Sequence, residues 1–242
     1  MIYHKKESKQ LTIEEFSNPP AKFRGAPFWA WNTDLNEEEL LRQVECLKEM
    51  GFGGFFMHTR SGMSTKYLSE EFMNLVSACN KKAKELGMYS YLYDEDRWPS
   101  GAAGGYVTEN KAFRLKMLVL SRLTPDETQK KYKGREQDPK LLATYDIVFD
   151  EYGKLKSYSL SDKNCETIGE RWFAYSMLAE KSGWFNGYTY LDTMNPEAVD
   201  RFIEVTYDAY YNTLGEEFGK SVPAIFTDEP RYYAMTFKGY RA

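Results

Sequence analysis

The sequence predicts an α/β fold built on a parallel sheet. Three observations lead there: strand-like runs alternate with helix-like runs from residue 25 to 105, the links between them are short, and polar residues gather after each strand-like run. Right-handed βαβ units of this kind assemble parallel sheets. Sites in such sheets form at the carboxyl ends of the strands.

Residues 1–24 are polar and carry Pro19-Pro20, so they read as an irregular lead-in. PFWAWN (27–32) is a short strand ending at Asn32. Leu40, Leu41, Val44, Leu47 and Met50 then recur at helical spacing, with Asn36 as cap and Glu37 to Glu39 at the positive end of the dipole. Gly51 closes this helix, and GGFFMHTR (53–60) is the second strand. Ser69, Glu70 and Glu71 open a second helix, whose stripe is Phe72, Leu75, Val76, Cys79, Ala83 and Leu86, with Gly87 as its stop. The third strand lies in YSYLYDEDRWPSGAAGG (89–105), which runs straight into Asp94-Glu95-Asp96, Arg97 and Trp98. The glycines after Trp98 predict a tight strand-to-helix turn.

From 113 to 186 the rhythm changes. LKMLVLSRL (115–123), LLATYDIVF (141–149), KLKSYSL (154–160) and RWFAYSMLAE (171–180) read as strands, with Tyr152-Gly153 at a hairpin turn. This predicts a small antiparallel β insertion. GYTYLDT (187–193) resumes the framework and leads into Asn195-Pro196-Glu197, a strong helix start. Val199, Phe202, Ile203, Tyr207, Tyr210 and Leu214 form its buried stripe, Gly219 closes it, and VPAIFTDEP (222–230) is a further strand. The expected organisation is therefore a lead-in (1–24), first (β/α) units (25–112), a β-rich insertion (113–186) and a further unit with its strand (187–242). About five parallel strands result, fewer than the eight of a closed barrel.

A net charge of −4 leaves no excess of Lys or Arg for a nucleic-acid backbone. No segment is apolar enough to span a membrane, and MIYHKKESKQ lacks the apolar core of a signal peptide, so a cytoplasmic location is expected. Cys46, Cys79 and Cys165 are odd in number and widely spaced, which argues against a disulfide scaffold or zinc site. Cys46 and Cys79 fall on helix stripes and read as small buried hydrophobes. Aromatic residues reach 16%; a large core accounts for most of them, and the surplus of Tyr and Trp near polar residues fits a surface that stacks on sugars or other flat apolar faces.

The loaded strand ends supply the candidates. Glycoside hydrolysis commonly uses two carboxyl groups across the scissile bond, one a protonated acid and the other a base or nucleophile. Glu229 reads as the general acid, with Asp228 as its supporting neighbour. Trp31, Asn32, His58, Arg60, Asp94, Glu95, Asp96 and Trp98 read as substrate-binding residues, Trp98 stacking on a ring face while acids accept hydrogen bonds from hydroxyls. Solvated strand ends and a mixed-charge turn around Arg97 are the plainer alternatives. The scarcity of His argues against a histidine metal site, a carboxylate site for a hard cation stays open, and SGAAGG has neither phosphate-loop spacing.

Four blocks carry a family likeness: PFWAWN, GFGGFFMHTRSGMSTKYLSEEF, ELGMYSYLYDEDRWPSGAAGG and NPEAVDRFIEVTYDAYYNTLGEEFGKSVPAIFTDEP. Together they resemble the N-terminal half of bacterial α-L-rhamnosidase-like enzymes, glycoside hydrolase family 106, over 25–112 and 187–232. The resemblance implies a (β/α)₈ barrel, here partial, an oligosaccharide or glycoside substrate, an inverting mechanism and a Ca²⁺ ion near the sugar. It places Glu229 at the acid position. Members run well beyond this length, and the opposing carboxylate is expected in that further part. An open barrel edge of this kind would favour self-association. A carbohydrate-binding module without chemistry on the same fold is the competing expectation.

Overall fold

The computed structural model describes residues 12–161 and 166–230; Cys165, the start of the lead-in at 1–11 and the stretch 231–242 lie outside them. In chain order the elements are α1 (Ile13–Ser17), β1 (Phe28–Trp31), α2 (Glu37–Glu49), β2 (Gly54–Thr59), α3 (Glu70–Glu85), β3 (Tyr89–Tyr93), β4 (Lys116–Ser121), α4 (Pro125–Lys131), β5 (Lys140–Phe149), β6 (Leu155–Leu160), β7 (Glu170–Leu178), α5 (Pro196–Ile203), α6 (Ala209–Leu214) and β8 (Ile225–Phe226). They divide into two compact units, one from 12–100 with 206–229 and one from the described parts of 101–205.

The first unit holds a sheet in the order β1-β2-β3-β8, parallel throughout. Its helices begin where the sequence caps them. Asn36 Oδ1 accepts from the Glu39 N–H at 3.1 Å, and Ser69 Oγ accepts from the Phe72 N–H at 3.2 Å. Gly53 lies where the chain approaches itself: a Cβ there would sit 2.0 Å from the Ala21 carbonyl oxygen.

Alternation along the strands gives the sheet two faces. Trp29, Trp31 and Phe55 share the face toward the helices, where Trp31 meets Phe72 of α3 edge-on at 5.7 Å. Phe28, Phe56, His58, Tyr91, Tyr93 and Phe226 share the other face as a chain of ring contacts. β1 and β8 are opposite edges of the sheet, about 14 Å apart if it were flat. Yet the Phe28 and Phe226 rings lie 4.9 Å apart. The sheet is therefore rolled into a trough, with aromatic side chains meeting across its concave face. Phe28, 57% exposed, marks its open rim.

The second unit holds an antiparallel sheet in the order β4-β7-β5-β6. The β5–β6 hairpin turns at Tyr152-Gly153, where Asp150 Oδ1 accepts from the N–H groups of Tyr152 and Lys154, and Gly153 takes φ +74°. Phe173, Tyr175 and Met177 form the core of one face, with Val119 and Tyr132 packed against them.

Several expectations are corrected. GYTYLDT makes only isolated bridges, Arg114 with Leu191 and Ser182 with Tyr188, so among the described residues the parallel sheet has four strands rather than about five. The reason is local: Tyr190 and Leu191 are drawn into two small clusters, with Ala102 and Phe185 in one and Ala103, Val107 and Ala198 in the other. The glycine-rich stretch after Trp98 leads into successive turns, with Gly101, Ala103, Gly104 and Gly105 at positive φ, and no α-helix follows it directly. Within the expected irregular lead-in, Thr12 and Glu15 form a capping box that opens α1; Thr124 and Glu127 do the same for α4, inside the expected β-rich insertion. The helix after Asn195 changes to π geometry over Glu204–Asp208 before α6. Cys79 is buried as expected; Cys46 is only half-buried.

Candidate functional site

The carboxyl ends of β2, β3 and β8 bring one group of side chains together. β8 ends at Phe226, so alternation sends Asp228 to the trough face with His58 and Tyr93. Tyr93 OH donates to Asp228 Oδ2 at 3.5 Å, and His58 Nε2 stands 3.9 Å from the same oxygen. The His58 ring stacks on Tyr93 at 4.2 Å. One residue on, Glu229 Oε2 accepts from the Trp98 indole N–H at 3.1 Å.

Burial sets the charges here. Burial first, and the neighbouring Glu229 charge second, hold the Asp228 carboxyl above its ordinary range, while Arg60 pulls the other way. Burial, helped by the Arg60 charge, brings His58 from 6.5 down to about 4. The imidazole is thus neutral at pH 7, and its contact with Asp228 is not an ion pair there. Burial followed by the Asp228 charge pushes the Tyr93 hydroxyl up, so it stays a donor.

This gives a stability prediction. The unfolded chain takes up a proton on His58 near pH 6.5, whereas the folded chain takes it only near 4. The contribution of His58 to stability is full above pH 6.5 and is lost as pH falls toward 4. The raised carboxyls of Asp94 and Asp228 act in the opposite sense, so the comparison needs a variant. Melting curves of the wild type and His58→Phe are expected to differ by an amount that changes, to the disadvantage of the wild type, below pH 6.5. A pH-independent difference would contradict the assignment.

The acids of the DEDRW stretch are buried. Asp94 is 0% exposed and points to the opposite face from Tyr93 and Asp228. There Oδ1 accepts from Ser100 Oγ at 2.7 Å, and Oδ2 accepts from Thr227 Oγ1 at 2.6 Å and Tyr207 OH at 3.1 Å. Burial raises its carboxyl, and these three bonds oppose the rise. Glu95 is buried, with Oε1 accepting from the Asp96 N–H at 2.9 Å, while its carbonyl accepts from Thr59 Oγ1. Asp96 is buried against Arg97, whose Nε donates to Oδ2 at 2.8 Å. The carboxylates of Asp94, Glu95 and Asp96, expected to meet a sugar, are each engaged within the protein.

Trp31, at 1% exposure, belongs to the core on the helix side of β1. Asn32 is exposed at the end of β1, and no hydrogen bond among the described residues joins it to Asp228 or Glu229. Arg60 is exposed and acts on Asp228 and His58 through its charge. The structure thus groups His58, Arg60, Trp98, Asp228 and Glu229, and adds Tyr93, Ser100, Tyr207 and Thr227, which sequence reasoning passed over as strand, turn and helix positions.

No group of three or more His, Cys, Asp or Glu side chains among the described residues is placed to hold a metal ion. The Ca²⁺ ion implied by the resemblance does not fit the acids of the DEDRW stretch, whose oxygens already accept from hydroxyl, backbone and guanidinium donors. No helix among the described residues is long and apolar enough to cross a membrane.

No family model and no curated protein matches the chain. Among solved structures it is similar to a rhamnosidase from Novosphingobium sp. PP1Y at 17% identity and TM-score 0.39, over 60% of this chain and 17% of that one. The chain spans under a fifth of that protein's length, and a likeness of this size bears on neither fold nor activity.

Proposed function

We propose that this chain carries part of the catalytic site of a glycoside hydrolase, α-L-rhamnosidase-like, on the first strands of a (β/α)₈ barrel. The observation that carries the reading is the contact between Trp98 and Glu229: an aromatic platform after β3 and a solvent-reachable carboxyl after β8 meet at one end of the sheet. The rolled sheet, with Phe28 and Phe226 in contact across it, supports the barrel. The antiparallel sheet is the insertion between the third and fourth barrel strands.

In this reading Glu229 protonates the leaving oxygen, and Trp98 both orients the carboxyl and stacks on the sugar. Asp228, Tyr93 and Arg60 complete the wall. Neutral His58 can donate to or accept from a hydroxyl, whichever tautomer the sugar selects. The second carboxyl is assigned to no residue of this chain.

The test is an assay of this chain, and of a longer chain that contains it, on aryl α-L-rhamnosides and a panel of other aryl glycosides. Turnover of the rhamnoside above the panel by the longer chain supports the reading. Sugar binding without turnover in both supports the binding-module alternative. Trp98→Ala is expected to weaken sugar binding by about 1–2 kcal/mol, the size of a lost aromatic contact, with an unchanged melting temperature. A large drop in melting temperature with unchanged binding would make Trp98 a core residue instead.

The open trough also bears on association. Among the described residues β1 pairs only with β2 and β8 only with β3, and Phe28 is exposed at the rim. Unpaired edges and apolar patches recruit other chains. Light scattering after size exclusion is expected to show self-association of the purified chain; a cooperative, well-behaved monomer would contradict this.

A further inference from the structure

β8 is a strand of two residues, in register with β3 at Leu92 with Ile225 and Tyr93 with Phe226, and its last ladder bond runs from the Asp94 N–H to the Phe226 carbonyl at 3.2 Å. A ladder so short frays readily, yet the two carboxyls of the proposed site follow it immediately. Beyond Phe226 the pairing is taken over by Ser100. Its N–H donates to the Asp228 carbonyl at 3.3 Å, and its Oγ accepts from the Asp228 N–H at 2.9 Å. The same Oγ donates to Asp94 Oδ1 at 2.7 Å, while Thr227 Oγ1 donates to Asp94 Oδ2 at 2.6 Å.

We infer that Asp94 and Ser100 are positioning residues that clamp Thr227 and Asp228, and through them aim the Asp228–Glu229 pair. The inference rests on the function proposed above. It reassigns Asp94 from a ligand contact to a fixed acceptor.

The chemistry favours a carboxylate at this point. An ionised Asp has no proton of its own to place, so every surrounding hydroxyl must donate to it. Once the Ser100 proton is committed to Asp94, only lone pairs remain on Oγ, and these receive the Asp228 N–H. Tyr207 OH, donating to Oδ2 at 3.1 Å, adds a third donor. The direction of each hydrogen bond is thereby fixed from Asp94 outward to the strand end. Placement of this kind matters because a 1 Å error at a reacting group costs on the order of 10²-fold in rate.

The test uses the full chain labelled with ¹⁵N. The Trp98 indole N–H, donating to Glu229, reports the carboxyl's position, and its resonance in Glu229→Ala marks the broken contact. In Ser100→Ala the indole resonance is expected to move toward the Glu229→Ala position, and the Asp228 amide to exchange roughly tenfold faster, as for one lost hydrogen bond. Tyr207→Phe, which removes the outermost donor, is expected to fold and to shift the indole less, in the same direction. A Ser100→Ala chain that folds with the wild-type indole position and Asp228 exchange overturns the inference. If Ser100→Ala does not fold, an unshifted indole in Tyr207→Phe overturns it. An inactive wild-type chain whose indole still follows Ser100 counts against the proposed hydrolase while supporting the clamp.

Discussion

Glu229→Gln is expected to lower turnover of alkyl α-L-rhamnosides by about 10²–10⁴-fold, the range for loss of a general acid. Glutamine keeps an oxygen for the Trp98 indole N–H but has no proton to give the leaving group. The loss should be smaller for nitrophenyl rhamnosides, whose leaving group departs without protonation. KM should change little, because the platform at Trp98 remains. Equal losses on both substrates would mean that Glu229 positions the sugar and does not protonate the leaving oxygen. Steady-state kinetics on the two leaving groups make the distinction.

The second large effect lies in the core. Trp31→Ala is expected to destabilise the fold by about 3–5 kcal/mol, the range for emptying a large aromatic site. Trp31 is 1% exposed and packs edge-on against Trp29 and Phe72. Its indole nitrogen is buried without a hydrogen-bond partner among the described residues, so Trp31→Phe loses area but no hydrogen bond and should cost much less. Chemical denaturation gives both numbers. A Trp31→Ala variant with wild-type stability and impaired sugar binding would return Trp31 to the ligand face.

The contrast between Trp31 and Trp98 shows what the sequence could and could not reveal. The strands and helices of the first unit are legible because caps, stripes and stops agree: Asn36 and Gly51 bracket α2, and Ser69 and Gly87 bracket α3. Alternation says that Trp31 and Asn32 point opposite ways, but it does not say which way is inward. That depends on where α2 and α3 pack. Asp94 is a similar case: three consecutive acids look alike in sequence, and only the partners Ser100, Thr227 and Tyr207 turn the first of them inward. Thr227 and Tyr207 lie more than a hundred residues away, beyond any local pattern. The capping boxes at Thr12 and Thr124, by contrast, are local signals, masked by the polar or strand-rich segments around them. GYTYLDT has strand composition, yet its Tyr190 fills a small cluster with Phe185 and Ala102.

The most direct measurement is a titration of the ¹⁵N-labelled chain with L-rhamnose, following the tryptophan indole resonances. The account predicts a saturable shift of the Trp98 indole, abolished in Glu229→Ala, with the indole of exposed Trp184 in the other unit unmoved. A Trp98 indole that stays in place at saturating sugar, or a shift confined to Trp184, would contradict the claim that the ends of β3 and β8 form a sugar site.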